Sequence, residues 1–190
     1  HELRTPLTTV RMAADVLYGQ RESFDPLAAR STELLSAEVG RFEELLTDLL
    51  EISRFDAGAA ELSLEEVDLA QIAAEELTAQ NRLAQQHGIT LELDAPAPCL
   101  AEMDPRRIRR ILRNLITNAI RHTDPGDQIR LGSRISTGES PELRLWVTDD
   151  GEGIPLDEQA RVFERFRRGT GAARGDGSGL GLAIVQAIVE

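Results

Sequence analysis

The sequence contains no lysine; all 21 of its basic residues are arginine. That absence removes several enzyme classes. A Walker A loop needs its phosphate-binding lysine, and the common protein-kinase fold needs a lysine on a strand. Schiff-base chemistry needs a lysine amine. Nucleotide chemistry, if present, has to rest on another architecture. Cysteine is nearly absent as well. With Cys99 alone no internal disulfide can form, which fits a reducing compartment. No apolar run approaches the roughly 20 residues of a membrane-spanning helix, and no secretory signal is visible. Positive charge is outnumbered, and the net charge of −12 argues against general binding to nucleic acid or anionic membranes.

What is present is ordinary globular material. The 190 residues are 41% hydrophobic and 28% charged, enough for one large domain or two smaller ones with real cores. The chain opens on histidine rather than methionine and stops inside an apolar helical pattern at residues 182–190. Both ends read as cut, with room for a sensing or membrane segment upstream.

Two periodicities divide the chain. Over residues 1–56, Leu3, Leu7, Val10, Ala14 and Leu17 recur at alternating spacings of four and three, and Leu35, Val39, Phe42, Leu46, Leu49 and Ser53 repeat the pattern, supported by Leu45 and Ile52. This heptad-like stripe predicts two helices of a bundle. Gly19 and residues 23–26 supply the turn between them. Two helices alone bury little, so a hairpin dimerising into a four-helix bundle is the natural completion; a hairpin packed on its own second domain is the other. Residues 57–60 read as a short linker. Beyond them, strands are predicted at 62–67, 89–94, 129–135 and 142–148, and helices at 68–87, 105–122 and 178–190, with a short one near 157–163. Strands interspersed with longer helices predict an α/β sandwich, one layer of each.

Five segments carry candidate chemistry, the last of them lying between the third and the fourth. The first is the opening His1-Glu2-Leu3-Arg4-Thr5-Pro6. At about 100° per residue the apolar stripe lies on one side of the helix, His1 falls opposite, and Thr5 shares its face. An exposed neutral imidazole beside Glu2 is a sensible nucleophile: Glu2 can accept the proton of one ring nitrogen while the other attacks. Pro6 crowds the carbonyl of Glu2, so a bend is expected. By itself a surface histidine is more often inert. The second segment is residues 114–123, where Asn114 and Asn118 lie one helical turn apart and Arg121 continues the flank, beside a stripe of Ile108, Ile111, Leu115 and Ala119. Amide oxygens there can ligate a hydrated Mg²⁺, although two polar residues on a solvated face would look the same.

The third segment, residues 147–155, follows a strand. Asp149 at the strand end can accept a hydrogen bond from an exocyclic amine such as that of adenine, and Gly151 and Gly153 permit a tight turn against a flat ligand; a plain turn is the alternative. In the fourth, glycines alternate at 175, 177, 179 and 181 before a helix begins. Backbone N–H groups at such a start can hold phosphate oxygens. Leu180 and Leu182 stand where the last glycine of G-x-G-x-x-G would fall, so dinucleotide binding is a poor reading. Between these two lies residues 162–171, glycine-rich toward its end as a lid should be. Arg165 and Arg168 there are candidates to meet a terminal phosphate, or members of a solvated arginine cluster.

In this order the segments resemble the sensor histidine kinases of two-component systems. Residues 1–8 resemble that family's H box, 114–123 its N box, 149–153 its G1 box, 162–168 its F box and 177–182 its G2 box. The resemblance spans nearly the whole chain, and five boxes in order are specific where one is not. It implies an α+β multi-domain chain. Residues 1–56 would be a hairpin for dimerisation and histidine phosphotransfer. Residues 61–190 would be an α/β sandwich of the Bergerat (GHKL) ATP-binding fold, its last strands lying past Glu190.

The resemblance also implies roles. ATP and Mg²⁺ would be the cofactors, His1 the phosphoacceptor assisted by Glu2, and an aspartate of a response regulator's receiver domain the final acceptor. Asn118 and Asn114 would hold Mg²⁺, Asp149 would read adenine, Arg121 would contact phosphate, and Gly151, Gly153, Gly177, Gly179, Leu180 and Gly181 would shape the pocket. Thr5 would help a water dephosphorylate the regulator. Arg121 and His122 stand where the family often has lysine and tyrosine, which leaves the role of His122 open. The implied setting is a homodimer with no nucleic-acid partner, the cytoplasmic portion of a membrane-anchored bacterial sensor, reaching the membrane only through segments outside this chain. Two other readings use the same boxes. A GHKL-type ATPase machine would make no phosphohistidine, and the hairpin ahead of the ATP domain argues against it. A pseudo-kinase scaffold is opposed by the expected chemistry in every box.

Overall fold

The structure, a computed structural model, describes residues 4–56, 62–136, 142–167 and 178–189. Contacts divide the chain into two compact units, His1–Ser53 and Arg54–Glu190. No described helix is long and apolar enough to cross a membrane.

The first unit is a helical hairpin. Helix α1 (Arg4–Gly19) leads through a 3₁₀ turn (Arg21–Ser23) into α2 (Pro26–Asp56), which runs past the unit's boundary. The start of α2 is written in its sequence. Asp25 Oδ1 accepts the N–H groups of Leu27 and Ala28 at 3.0 and 3.1 Å, and Pro26 occupies a first-turn position where its missing N–H costs nothing. In the turn, the Arg21 guanidinium lies 4.4 Å from the centre of the Tyr18 ring and donates to the Tyr18 carbonyl at 3.1 Å.

The apolar stripe predicted for the hairpin splits in two. Ala14 and Val39 are buried in the seam between α1 and α2, and Leu7 and Leu46 are half-buried. Val10 and Leu17 on α1, and Leu35, Phe42 and Leu49 on α2, stay outside the seam; Val10 is 50% and Phe42 56% exposed. Two helices share only one line of contact, so a stripe wider than that line cannot be covered by the hairpin itself. Leu7, Val10, Val39, Phe42 and Leu46 border an open apolar groove of about 370 Å³. Leu3, and the bend expected between Glu2 and Pro6, lie outside the described residues.

The second unit begins with β1 (Glu65–Asp68) and α3 (Leu69–Gln86), followed by β2 (Thr90–Asp94) and β3 (Leu100–Met103). Next come α4 (Pro105–His122), β4 (Gln128–Ile135), β5 (Leu143–Asp149), the short α5 (Leu156–Gln159) and α6 (Gly181–Val189). The strands form two sheets. β1 pairs antiparallel with β3, while β2, β4 and β5 form a second sheet in that order, β2–β4 parallel and β4–β5 antiparallel. Strand β3 is absent from the sequence-based expectation, and β1 is shifted to 65–68 from the expected 62–67. The predicted layering holds: α3 and α4 pack on β4 across a core that includes Ile72, Leu77, Leu112, Ile116, Ile120, Ile129 and Leu131.

Two aspartates join strands to helices. Asp68 caps α3 through the Ala70 N–H at 3.0 Å and also accepts the Cys99 N–H at 2.9 Å, which ties β1 to the start of β3. Asp104 caps α4 through the Arg106 N–H at 3.0 Å and accepts the Ser63 N–H at 3.2 Å. Helix α4 buries Leu112, Ile116, Ala119 and Ile120, and packs on α3, α6 and the sheet. Ile111 and Leu115, placed in the stripe by periodicity, are half-buried; a helix with neighbours on several sides has a wider apolar arc than one stripe.

Candidate functional site

Helix α4 is anchored from the side of α3. Arg109 pairs with Glu75, and Arg113 Nη2 lies 3.4 Å from Oε1 of the buried Glu76. Hydrogen bonds from Gln71 and Arg109 hold the Glu75 carboxyl below its usual range. At its start, Asp104 is held down to about 2, first by the Arg106 guanidinium hydrogen-bonded to it, against the opposing effect of burial.

Along that fixed helix come the candidate ligands. Asn114 and Asn118 are half-buried, and Arg121 and His122 in the last turn are exposed. Asn114 lies against the start of α6: a Cβ at Gly181 would sit 3.7 Å from Asn114 Oδ1, and the Asn114 Nδ2 is buried without a hydrogen-bond partner. An orphaned amide of this kind costs about 1–3 kcal/mol, a cost that a bound acceptor would offset.

The turn after β5 sits on the end of α4. Gly151 donates its N–H to Asp149 Oδ1 at 3.0 Å, folding the turn back on the carboxylate. A side chain at Gly151 would collide with the His122 carbonyl oxygen, so glycine is required by space there. Gly153 needs glycine for another reason, its left-handed φ of 71°. His122 Nδ1 lies 3.7 Å from Glu152 Oε1, within ion-pair range when the imidazole is protonated. Thr123, the residue after α4, is buried and its hydroxyl has no partner.

The third piece is the approach to α6. Gly179, at φ 69°, lets the backbone of Phe166 and Arg167 come so close that a Cβ would lie 2.8 Å from the Arg167 carbonyl oxygen. Phe166 itself is in the left-handed region at φ 60°, a conformation non-glycine residues rarely adopt. Leu180 is fully buried, so it anchors the turn and presents no side chain to a ligand, and its N–H donates to Ser178 Oγ at 3.2 Å. Helix α6 then opens at Gly181 with its first N–H groups free of helical partners.

The structure thus brings Asn114 to Gly181, His122 to Gly151 and Glu152, and the 166–167 backbone to Gly179, around α4. Arg165 and Thr5 are exposed. His1, Glu2, Arg168 and Gly177 lie outside the described residues, as does the linker at 57–60.

Two family models match the sequence. A model described as "His Kinase A (phospho-acceptor) domain" matches residues 1–58, and one described as "Histidine kinase-, DNA gyrase B-, and HSP90-like ATPase" matches residues 103–190. A solved structure of the mycobacterial sensor histidine kinase MprB is 33% identical, with 66% of this chain and 78% of that one covered and a TM-score of 0.53. The chain belongs to the sensor histidine kinases. The sensor histidine kinase MtrB of Mycolicibacterium paratuberculosis is 50% identical over 97% of this chain and 32% of its own length. Full-length ShkA, solved in complex with AMPPNP, is 30% identical with a TM-score of 0.82, covering 99% of this chain and 38% of that one. The chain therefore spans about a third of the length of the curated relatives it matches.

For a histidine kinase the donor set suits Mg²⁺ in one particular way. Among the described residues no cluster of three or more histidine, cysteine, aspartate or glutamate side chains is arranged to hold a metal. An amide oxygen such as that of Asn118 can instead complete a shell made mostly of phosphate oxygens and water, the mode Mg²⁺ favours.

Sequence reading missed Glu152, Thr123 and the Glu75–Glu76 anchor of helix α4. Glu152 was visible as the residue between two glycines, but its pairing with His122 depends on where the turn lands on α4. The anchor depends on α3 lying beside α4, which no local spacing reveals.

Proposed function

We propose that the chain phosphorylates itself on His1 from Mg·ATP and passes the phosphoryl group to an aspartate of a response regulator's receiver domain, acting as a homodimer. The observation that carries the proposal is the joining on one chain of a phosphoacceptor hairpin and a GHKL-type ATP-binding unit. In the transfer, a ring nitrogen of His1 forms a bond to the γ-phosphorus while the bond from that phosphorus to the bridging oxygen of ADP breaks. Glu2 holds the proton on the other ring nitrogen. Asp149 receives the adenine amine, Arg121 and Arg165 offer charge to the phosphates, and the start of α6 offers backbone N–H groups. Asn118, with Asn114 beside it, would hold Mg²⁺, which neutralises phosphate charge when bound. Binding of AMPPNP by ShkA supports the same ligand class here.

Homodimerisation is supported by the uncovered stripe of Val10, Leu17, Leu35, Phe42 and Leu49, which a second hairpin would cover. Thr5, exposed and four residues after His1 in the sequence, is assigned to the reverse task of helping water dephosphorylate the regulator. The setting that goes with these roles is the cytoplasmic portion of a membrane-anchored sensor.

Labelling with γ-labelled Mg·ATP tests this reading. The expected product is a phosphoprotein that is acid-labile and alkali-stable and loses its label to an added receiver domain. Steady release of phosphate with no phosphoprotein would make the chain an ATPase machine and sink the proposal.

A further inference from the structure

The seam between α1 and α2 buries Ala14 and Val39 and carries a charged layer at the level of Gly40. There Arg11 crosses it. Its Nε lies 3.0 and 3.1 Å from the two carboxylate oxygens of Asp15 on its own helix, and its Nη1 lies 3.4 Å from Glu43 Oε2 on α2. The guanidinium passes over Gly40, where a Cβ would lie 3.2 Å from Nη1. Arg11 and Glu43 are each only 37% exposed. Leu7, Val39 and Leu46 border the apolar groove, and Ala14 and Val39 are buried beside this layer.

Neither half of the layer is the most stable choice for its place. Glycine in a helix interior is less favourable than alanine, and Gly40 is the one glycine of the 31-residue α2. A part-buried ion pair is often no better than well-packed apolar residues of similar volume. What such a layer does supply is alignment. A polar contact in an apolar helix seam specifies register, because every other alignment strands the charge among apolar groups. Shifting α1 by one turn in either direction takes the guanidinium away from Glu43 and off the one position of α2 without a Cβ.

We propose that Arg11, Gly40 and Glu43 are positioning residues for phosphotransfer: they fix the register and rotation of α1 on α2, and with it the direction in which the start of α1 is presented. The proposal rests on the reading of His1 as the phosphoacceptor, since α1 is the helix that leads back to it. It separates stability from function, because an apolar layer should be at least as stable yet less well aligned.

The test replaces the layer in the full chain with Arg11→Leu, Gly40→Ala and Glu43→Leu. Spin labels on cysteines introduced at the exposed Thr9 and Glu44, in a Cys99→Ala background, report the distance between the helices, with labelled chains diluted into unlabelled ones. The expected result is a melting temperature equal to or above the parent's, a broadened or shifted distance distribution, and phosphohistidine formation reduced by about tenfold or more, as misplacement of about 1 Å can cause. Arg11→Lys, which keeps the charge, should keep the parental distance. A triple variant with the parental distance distribution and parental labelling overturns the proposal, and so does one whose labelling falls only in step with its melting temperature. A parent that takes no label at all would instead defeat the phosphoacceptor reading, and the distance measurement would still decide the register.

Discussion

The two units of this chain bury their apolar residues to very different extents. In the α/β unit, Leu112, Ile116, Ile120, Ile129, Leu131, Leu180 and Ile184 are all fully buried by the unit's own helices and strands. In the hairpin, the described side chains below a tenth exposed are Ala14, Thr32, Val39 and Ile52, while five residues of the stripe remain at least 39% exposed. Hydrophobic stabilisation scales with apolar area removed from water. The α/β unit therefore has a closed core on its own, whereas the hairpin leaves much of its apolar stripe uncovered. On the proposed function the difference separates donor from acceptor: the nucleotide pocket would depend on this chain's core, and the acceptor helix on a second copy.

Charge on the uncovered stripe should have the largest effect. In Val10→Glu combined with Phe42→Glu, two carboxylates would be buried without partners in a two-copy bundle, at a cost of several kcal/mol. Sedimentation should then give a monomer, while calorimetric titration with Mg·ATP changes by less than about twofold. Equal dimer mass in parent and variant would remove the stripe's role. The converse change is Leu112→Ala. A fully buried leucine lost from a packed core costs about 2–5 kcal/mol, so the thermal transition of the α/β unit should fall and nucleotide binding weaken, with dimer mass unchanged.

A smaller effect should come from Asp104, whose carboxyl is held down to about 2 from a reference of 3.8. Because the folded value is the lower one, its contribution of about 2 kcal/mol is complete above about pH 4 and is lost as pH falls through about 2. Asp104→Asn should destabilise the α/β unit by about 1–2 kcal/mol at neutral pH and flatten the loss of stability between about pH 4 and 2. Urea unfolding at stepped pH checks both, and a variant that keeps the parent's acid slope would remove Asp104 as its cause.

Much of the fold was legible because long helices announce themselves by period. Helix α4 was read at its observed bounds, since Asp104-Pro105 starts it and the apolar arc sustains it. Strand β3 was not legible. It has four residues, Leu-Ala-Glu-Met, after an Ala-Pro-Ala-Pro stretch that reads as loop, and alanine and glutamate are weak strand formers. Its place is set by pairing with β1 and by the Asp68 bridge to Cys99, both non-local. Helix α6 begins three residues later than expected because Gly179 turns left-handed before Leu180 enters the core. At the site, residue types were readable and mutual placement was not: Gly151 belongs where it is because the His122 carbonyl occupies the space of a Cβ. In the hairpin, period alone could not say which half of the stripe faces α2 and which is left uncovered.

The claim at the centre of this account is that the α/β unit supplies the phosphoryl group and His1 receives it. The most direct measurement pairs calorimetry with phosphoprotein labelling on the parent, His1→Gln and Asp149→Asn. The account predicts that His1→Gln binds Mg·ATP with parental affinity yet takes no acid-labile phosphate, and that Asp149→Asn loses both binding and label. Label on His1→Gln at the parental level would contradict it.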